Sequence, residues 1–357
     1  MKGRRLLAVD AFCGCGGTSL GLAKAGFAIG AALEVESWAA ETYMLNHPAT
    51  AVFYDIRAIP ASLLLDYLKI RKYELDLLTG CPPCQGFSSI RTLNASSATR
   101  DQRNNLVFNF LELIDGLRPK TVLLENVPGL MDNWRYDLLV EQLEKWNYHV
   151  TSARLDATAF GVPQRRKRLV LAASRLGKID LTPPTEKLVT VRQAIGGLPR
   201  PRKSAKWLHR WHSKHSPDVL KRIRQIPKDG GSRAALGNGN QLPCHQGKKI
   251  GFHDVYGRMA WNQVSPTITR FSNNPSKGRF LHPEQNRALT LLESVILQSF
   301  PRNYKFSRET PPTKIASMIG EAFPPRMAEI LAKRIASHLS SAARRKKRAL
   351  NASKAVR

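Results

Sequence analysis

Acidic residues are scarce in this chain of 357 residues. Only 27 Asp and Glu face 56 Lys and Arg, a net charge of +29. Such a deficit favours a polyanionic partner. Cysteine is scarce as well: Cys13, Cys15, Cys81, Cys84 and Cys244. An odd number, with no secretion signal, speaks against a disulfide framework and for a reducing compartment. Long apolar runs are missing. No stretch approaches the ~20 residues that span a bilayer, and the few apolar residues between Arg5 and Asp10 are too short for a signal-peptide core. The expectation is a cytoplasmic, nucleoid-associated protein with no membrane partner. Internal repeats are also lacking.

What is present is a globular composition, 42% apolar and 23% charged. The length suffices for one large domain and a smaller one. The positive charge is clustered, which argues against a role in solubility alone. Arg200–Arg233 carries eleven Lys and Arg against Asp218 and Asp229, and no acid follows Glu329. Arg344, Arg345, Lys346, Lys347 and Arg348 form an uninterrupted run, read as part of a basic C-terminal tail, 341–357.

From Leu6 to about Ser174, strand-like and helix-like runs alternate. The predicted strands are Leu6–Asp10, Phe27–Glu34, Ala51–Asp55, Leu75–Gly80, Thr121–Asn126 and Arg168–Ser174. The predicted helices are Thr18–Ala25, Trp38–Leu45, Leu106–Leu117 and Tyr136–Trp146. This alternation predicts an α/β fold with a mainly parallel sheet covered on both faces, which binds its ligands beyond the carboxyl ends of the strands. A Pro-rich stretch with a Gly-Gly pair, Leu181–Arg202, reads as a linker. Lys203–Pro266, rich in Gly, Pro, His and basic residues, reads as a smaller loop-rich domain. Met327, Leu331, Ile335 and Leu339 then step by four, the stripe of an amphipathic helix packed on the first domain.

Four motifs carry chemistry. Asp10-Ala-Phe-Cys-Gly-Cys-Gly-Gly17 follows a strand and opens a helix; its glycines let backbone turn tightly against a ligand. Glu34 and Asp55 end the next two strands, where carboxylates can meet ribose hydroxyls and an adenine amino group. The pattern is not GxGxxG, so a nucleoside cofactor fits better than a dinucleotide. Gly80-Cys-Pro-Pro-Cys-Gln-Gly-Phe-Ser88 offers a CxxC that can be a redox pair, half a zinc site or, with Cys84 alone, a nucleophile held by Pro82 and Pro83. Glu125-Asn-Val-Pro-Gly129 puts a carboxyl group on the same sheet edge, where a buried Glu can protonate a ring nitrogen. Gly161-Val-Pro-Gln-Arg-Arg-Lys-Arg168 aligns Gln164, Arg166 and Arg168 along one face of a strand, with guanidinium groups suited to phosphate and a base carbonyl.

In this order, the four motifs resemble the DNA (cytosine-5)-methyltransferase family of bacterial and phage modification enzymes, from Leu6 to about Leu339. The resemblance implies a Rossmann-like S-adenosylmethionine-dependent domain, 1–180 with 271–340, and a target recognition domain with its linker, 181–270. It implies that Phe12, Gly14, Gly17, Glu34, Val35, Asp55, Ile56, Pro83 and Leu106 bind S-adenosylmethionine, without a metal. Cys84 is then the nucleophile and Glu125 the acid at N3 of cytosine, while Arg166 and Arg168 steady the cysteine loop and the base carbonyl. Gln85, Ser88, Arg103, Gln164, Thr267 and Ile268 are implied to meet DNA. The implied partner is double-stranded DNA, handled by a monomer, with a restriction endonuclease of the same site as a companion. Arg279–Pro283, Arg287–Pro301 and Ile319–Pro325 resemble the family's later motifs.

Two positions depart from the family pattern. Glu321 stands where Asn is usual, and Leu292 where Arg usually precedes the motif Glu293. Together they predict weakened activity or stability, with Glu293 lacking a partner. RNA cytosine-5 methylation shares the chemistry, but a recognition segment as large as Lys203–Pro266 speaks for DNA. A DNA-binding relative with weakened catalysis would follow from the two departures; the four intact motifs speak against it. His209, His212 and His215, with Cys244, can be drawn as a zinc site, although a polar stretch facing phosphate suits them better.

Overall fold

The computed structural model describes residues 5–83, 105–237 and 254–355. Cys84, Gln85, Ser88, Arg103 and Cys244 lie outside the described residues. The chain forms two compact units, one of 1–155, 167–183 and 325–357, the other of 156–166 and 184–324. These packing units cut the chain differently from the boundaries read in the sequence, since 271–324 packs with the second unit.

The first unit is built on a seven-stranded sheet, order β3-β2-β1-β4-β5-β7-β6. Its strands are β1 Leu7–Ala11, β2 Ala28–Leu33, β3 Ala51–Phe53, β4 Leu77–Gly80, β5 Thr121–Asn126, β6 His149–Asp156 and β7 Lys167–Ser174. Strands β1 to β5 pair in parallel, and β7 runs antiparallel to β5. Only residues 157–166 separate β6 from β7, fewer than the dozen or so that a parallel crossover needs. Every residue of β4 and β5 is buried, as expected of central strands covered on both faces. Strand β6, not predicted from the sequence, lies at the sheet edge and is mostly half-exposed. Its residues HVTSARLD therefore carry no clear alternation of the kind that marks a half-buried strand.

The helices are α1 Gly17–Lys24, α2 Ser37–Asn46, α3 Ala61–Leu68, α4 Leu106–Leu117 and α5 Trp134–Lys145, with a long C-terminal helix, Pro325–Ala355. Met327, Leu331, Ile335 and Leu339 of that last helix are buried, as their spacing predicted. It approaches α1 so closely that a Cβ on Gly21 would stand 2.6 Å from that of Ala328. Helical structure continues to Ala355, so the segment expected to be a basic tail extends this helix. Among the described residues, no helix is long and apolar enough to cross a membrane.

The second unit has less regular structure, with helices α6 Val191–Ile195, α7 Trp207–Arg210, α8 Pro217–Gln225, α9 Leu291–Leu297 and α10 Pro312–Glu321. Buried arginines tie its loops together. Arg258, fully buried, donates to the carbonyls of Ile223, Ile226, His282 and Gln285 at 2.7–3.0 Å. These bonds give partners to carbonyls at the end of α8 and in the loops around it.

Candidate active site

Sheet register fixes the site. Ala11 lies beside Leu33 and Gly80, Leu33 beside Phe53, and Gly80 beside Leu124. The next residues along these strands are Phe12, Glu34, Tyr54, Cys81 and Glu125. They step off one shared row at the carboxyl edge. The chain turns to opposite sides of β1 to build β2 and β4, which makes this edge the switch point where α/β sheets bind ligands.

Phe12 adopts φ 62°, and Gly14 and Gly16 adopt 54° and 94°. A left-handed phenylalanine is uncommon. Here it turns the chain out of β1 and sets the ring against Phe110, with centroids 6.4 Å apart. Gly14 N donates to Glu34 Oε2 and Glu36 N to Glu34 Oε1, both at 2.8 Å. Glu34 thus locks the glycine turn while remaining half-exposed. Phe12, Ile56 and Leu106 all border one apolar cluster, Val35 is exposed and Pro83 half-buried. Asp55 already has a protein partner. Its carboxylate takes a bidentate ion pair from Arg57 (Nη2 at 2.6 Å and Nε at 3.0 Å), which holds its pKa below the usual range. An adenine amino group would have to share it.

Beneath the turn lies a chain of groups that the motif reading passed over. Asp10 is fully buried and accepts from the Ser19 hydroxyl at 2.6 Å; Ser19 in turn lies 2.8 Å from the Tyr43 hydroxyl. Burial pushes the Asp10 pKa up to about 7. Alternating polarity could not flag it, because Asp10 sits mid-strand among apolar neighbours.

The carboxyl end of β5 carries the second group of residues. Glu125, nearly buried, forms an ion pair with Arg168 of β7, Nε to Oε1 2.7 Å. Antiparallel pairing of β5 with β7 brings them together. Asn126 Nδ2 donates to the Pro82 carbonyl at 3.0 Å, tying β5 to the segment that leads into Cys84. Cys81 lies 3.8 Å from the Thr18 hydroxyl. Loss of hydration and the charge of Glu125 push its thiol well above its ordinary pKa. Burial does the same to Cys13.

Gln164 and Arg166 do not join Arg168 on one face. Both are buried in the second unit. Arg166 donates to the carbonyls of Ile268, Gly320 and Ala322 at 3.0–3.1 Å. Gln164 bonds Leu297 O and accepts from Ile268 N. The reason is local: Gln164 bridges to Ser265 before β7 begins, so strand alternation does not yet apply. Both side chains frame the Thr267–Ile268 loop from within. Ile268 itself is fully buried and Thr267 half-exposed, so the dipeptide presents Thr267.

Glu293 does have a partner despite Leu292. Arg287 grips it twice, at 2.7 and 2.8 Å. Glu321 is exposed and paired with Arg270 at 3.2 Å. His209 is buried between Thr290 and the Pro199 carbonyl, a packing role, not a phosphate contact. Among the described residues, no group of three or more His, Cys, Asp or Glu is arranged to hold a metal ion.

Known proteins resemble this chain over most of its length. The profile of the C-5 cytosine-specific DNA methylase family matches residues 6–337. The Type II methylase M.HgiDII of Herpetosiphon aurantiacus is 33% identical, over 92% of this chain and 94% of that protein. The Type II methyltransferase M1.HphI of Haemophilus parahaemolyticus is 32% identical, over 92% and 86%. Among solved structures, S. pombe Dnmt2 methyltransferase superposes with a TM-score of 0.61 at 17% identity, covering 94% of this chain and 99% of that one. Entamoeba histolytica methyltransferase EhMeth gives 0.65 at 14% identity, with the same coverage. These structural likenesses speak to the fold, while the sequence matches reach further: the chain belongs to the C-5 cytosine-specific DNA methylase family and is a DNA (cytosine-5)-methyltransferase.

Proposed function

We propose that the chain transfers a methyl group from S-adenosylmethionine to C5 of a flipped-out cytosine in a specific duplex DNA sequence, through a covalent Cys84–C6 adduct. The observation that carries this reading is the Glu125–Arg168 pair at the end of β5, tied through Asn126 and Pro82 to the segment entering Cys84. Cys13 and Cys81 are kept protonated by their surroundings, so neither competes as a nucleophile.

The cofactor test rests on the glycine turn. Left-handed backbone at Phe12, Gly14 and Gly16, locked by the Glu34 carboxylate, is a cradle that suits a nucleoside. Phe12, Ile56 and Leu106 would form its apolar floor, with Gly14, Gly17, Val35 and Pro83 around it and Glu34 at the ribose. When bound, S-adenosylmethionine supplies an electrophilic methyl group on a sulfonium.

The chain's own residues do the rest. The Cys84 thiolate adds to C6 while Glu125 protonates N3, which makes C5 enamine-like and nucleophilic. Arg168 orients the Glu125 carboxyl group. Once C5 is methylated, its proton passes to solvent, Cys84 leaves as thiolate and the N3 proton returns to Glu125, which restores the aromatic ring. Duplex stacking blocks this chemistry, so the base must leave the helix at a cost of a few kcal/mol. The excess of positive charge suits a phosphate backbone, and Gln85, Ser88, Arg103 and Thr267 are assigned to DNA. Functionally, 1–180 with 271–340 catalyses and 181–270 recognises. The enzyme acts as a monomer, and a restriction endonuclease of the same specificity is its companion.

Incubation with 5-fluorocytosine DNA and labelled S-adenosylmethionine tests the reading. A covalent adduct should form, persist in Cys81→Ala and vanish in Cys84→Ala. Adduct loss in Cys81→Ala alone would sink it.

A further inference from the structure

The C-terminal helix has two unlike halves. Its first half is anchored by buried Met327, Leu331, Ile335 and Leu339. The cations of this half are engaged within the fold. Arg326 and Lys333 share Glu329, and Arg334 donates to the Thr182 carbonyl. After Leu339 the helix runs on to Ala355, roughly 24 Å at 1.5 Å per residue. Arg344, Arg345, Lys347 and Arg348 are all exposed there. Residues 341–357 hold seven Lys and Arg and no acid.

Physical chemistry makes this half unusual. Arg344 neighbours Lys347 and Arg348, and Arg345 neighbours Arg348, at three- and four-residue spacings where like charges work against a helix. The helix dipole favours cations near the C-terminus but offers only the last turn. An external polyanion would relieve the rest.

We propose that residues 340–355 form a helical arm that binds the phosphate backbone of duplex DNA outside the base being methylated. A solvated tail would have to be ordered on binding; this segment is already helical and rooted in the sheet unit through Leu339. Backbone charge every ~1.7 Å of duplex axis complements a rod of closely spaced guanidinium and ammonium groups. The proposal rests on DNA being the substrate.

The test uses the full-length protein with Arg344, Arg345, Lys347 and Arg348 all changed to Gln. A control carries Lys69, Lys72, Lys178 and Lys187→Gln, four exposed lysines elsewhere with the same loss of charge. Binding to a 40-base-pair duplex is measured by fluorescence anisotropy across a salt series, with circular dichroism as a check on folding. Every phosphate that the arm no longer neutralises should lower the salt slope by ~0.9, so the arm variant should lose about 2 to 4 in slope. It should bind on the order of 10- to 100-fold more weakly near 0.1 M salt, while the control changes far less. Equal losses in both variants would mean bulk charge and overturn the arm. So would an unchanged slope, or a loss seen with RNA and not with duplex DNA. Labelled methyl transfer to unmethylated plasmid DNA by the unmodified protein separates the two ideas. No transfer defeats the methyltransferase reading and the arm with it; normal transfer with unchanged slopes defeats the arm alone.

Discussion

Two buried acids, one in each unit, have opposite fates. Asp10 sits under the glycine turn and meets a hydroxyl, and burial lifts its pKa to about 7. Glu293 is as deeply buried at the start of α9. Burial alone would raise it too, but Arg287, His282 and the Thr290 backbone hold it down to about 2. The difference is the counter-charge. A buried carboxyl with a guanidinium in bidentate contact is a structural anion, whereas one left with a hydroxyl becomes a weak acid near neutrality. Glu125 takes a single ion pair from Arg168, an arrangement suited to the substrate role proposed for it.

The largest effect that would sharpen this contrast is at Glu125. Glu125→Gln should cut methyl transfer by about 10²- to 10⁴-fold and leave the melting temperature almost unchanged. A large fall in melting temperature would place Glu125 with Glu293 instead. Next, Glu293→Ala should destabilise the second unit by roughly 3–5 kcal/mol, because Arg287 is left as a buried unpaired charge. Pairing it with Arg287→Met should recover much of that loss in chemical denaturation; no recovery would break the comparison.

The two acids also predict opposite pH dependences. The folded-state pKa of Glu293 is depressed, so its contribution is present above about pH 4.5 and lost as pH falls through about 2. That of Asp10 is raised, so stability is greatest below about pH 3.8 and declines as pH rises towards 7. Asp10→Asn should flatten this decline by up to about 1.4 kcal/mol per pH unit, as read from urea midpoints between pH 4 and 7. The same slope in both proteins would mean that Asp10 ionises normally. The smallest effect is expected at Glu321. Its exposed pair with Arg270 is worth under about 1 kcal/mol, so Glu321→Asn should barely move stability. A tenfold gain in methyl transfer would show that the family's usual Asn matters more than the charge it replaces.

The central strands were legible in the sequence because each is an apolar run ending in a chemically distinctive residue. Glu34 and Glu125 could be read for that reason. The edge strand β6 was not, since half-exposed backbone imposes no periodicity. The burial of Gln164, Arg166 and Ile268 was not legible for a different reason. A charged or polar residue in a basic motif looks solvent-facing in one dimension, and only the packed loops reveal that Arg166 faces inward. Likewise the partner of Glu293 stands six residues before it, at Arg287, not next to it. The helix stripe through Leu339 was readable, but its continuation to Ala355 was not, because a run of cations carries no apolar signature.

The grip of Arg166 on Ile268, Gly320 and Ala322 falls on main-chain oxygens. Such a clasp is indifferent to the side chains on either side of it. If 181–270 reads DNA as proposed, its loops can be exchanged or diversified over evolutionary time, changing the sequence that is marked, without loosening the frame that holds them. Gly320 is the exception, since a Cβ there would stand 2.2 Å from the Thr269 backbone, and a graft of foreign specificity into this chain should keep that one position untouched.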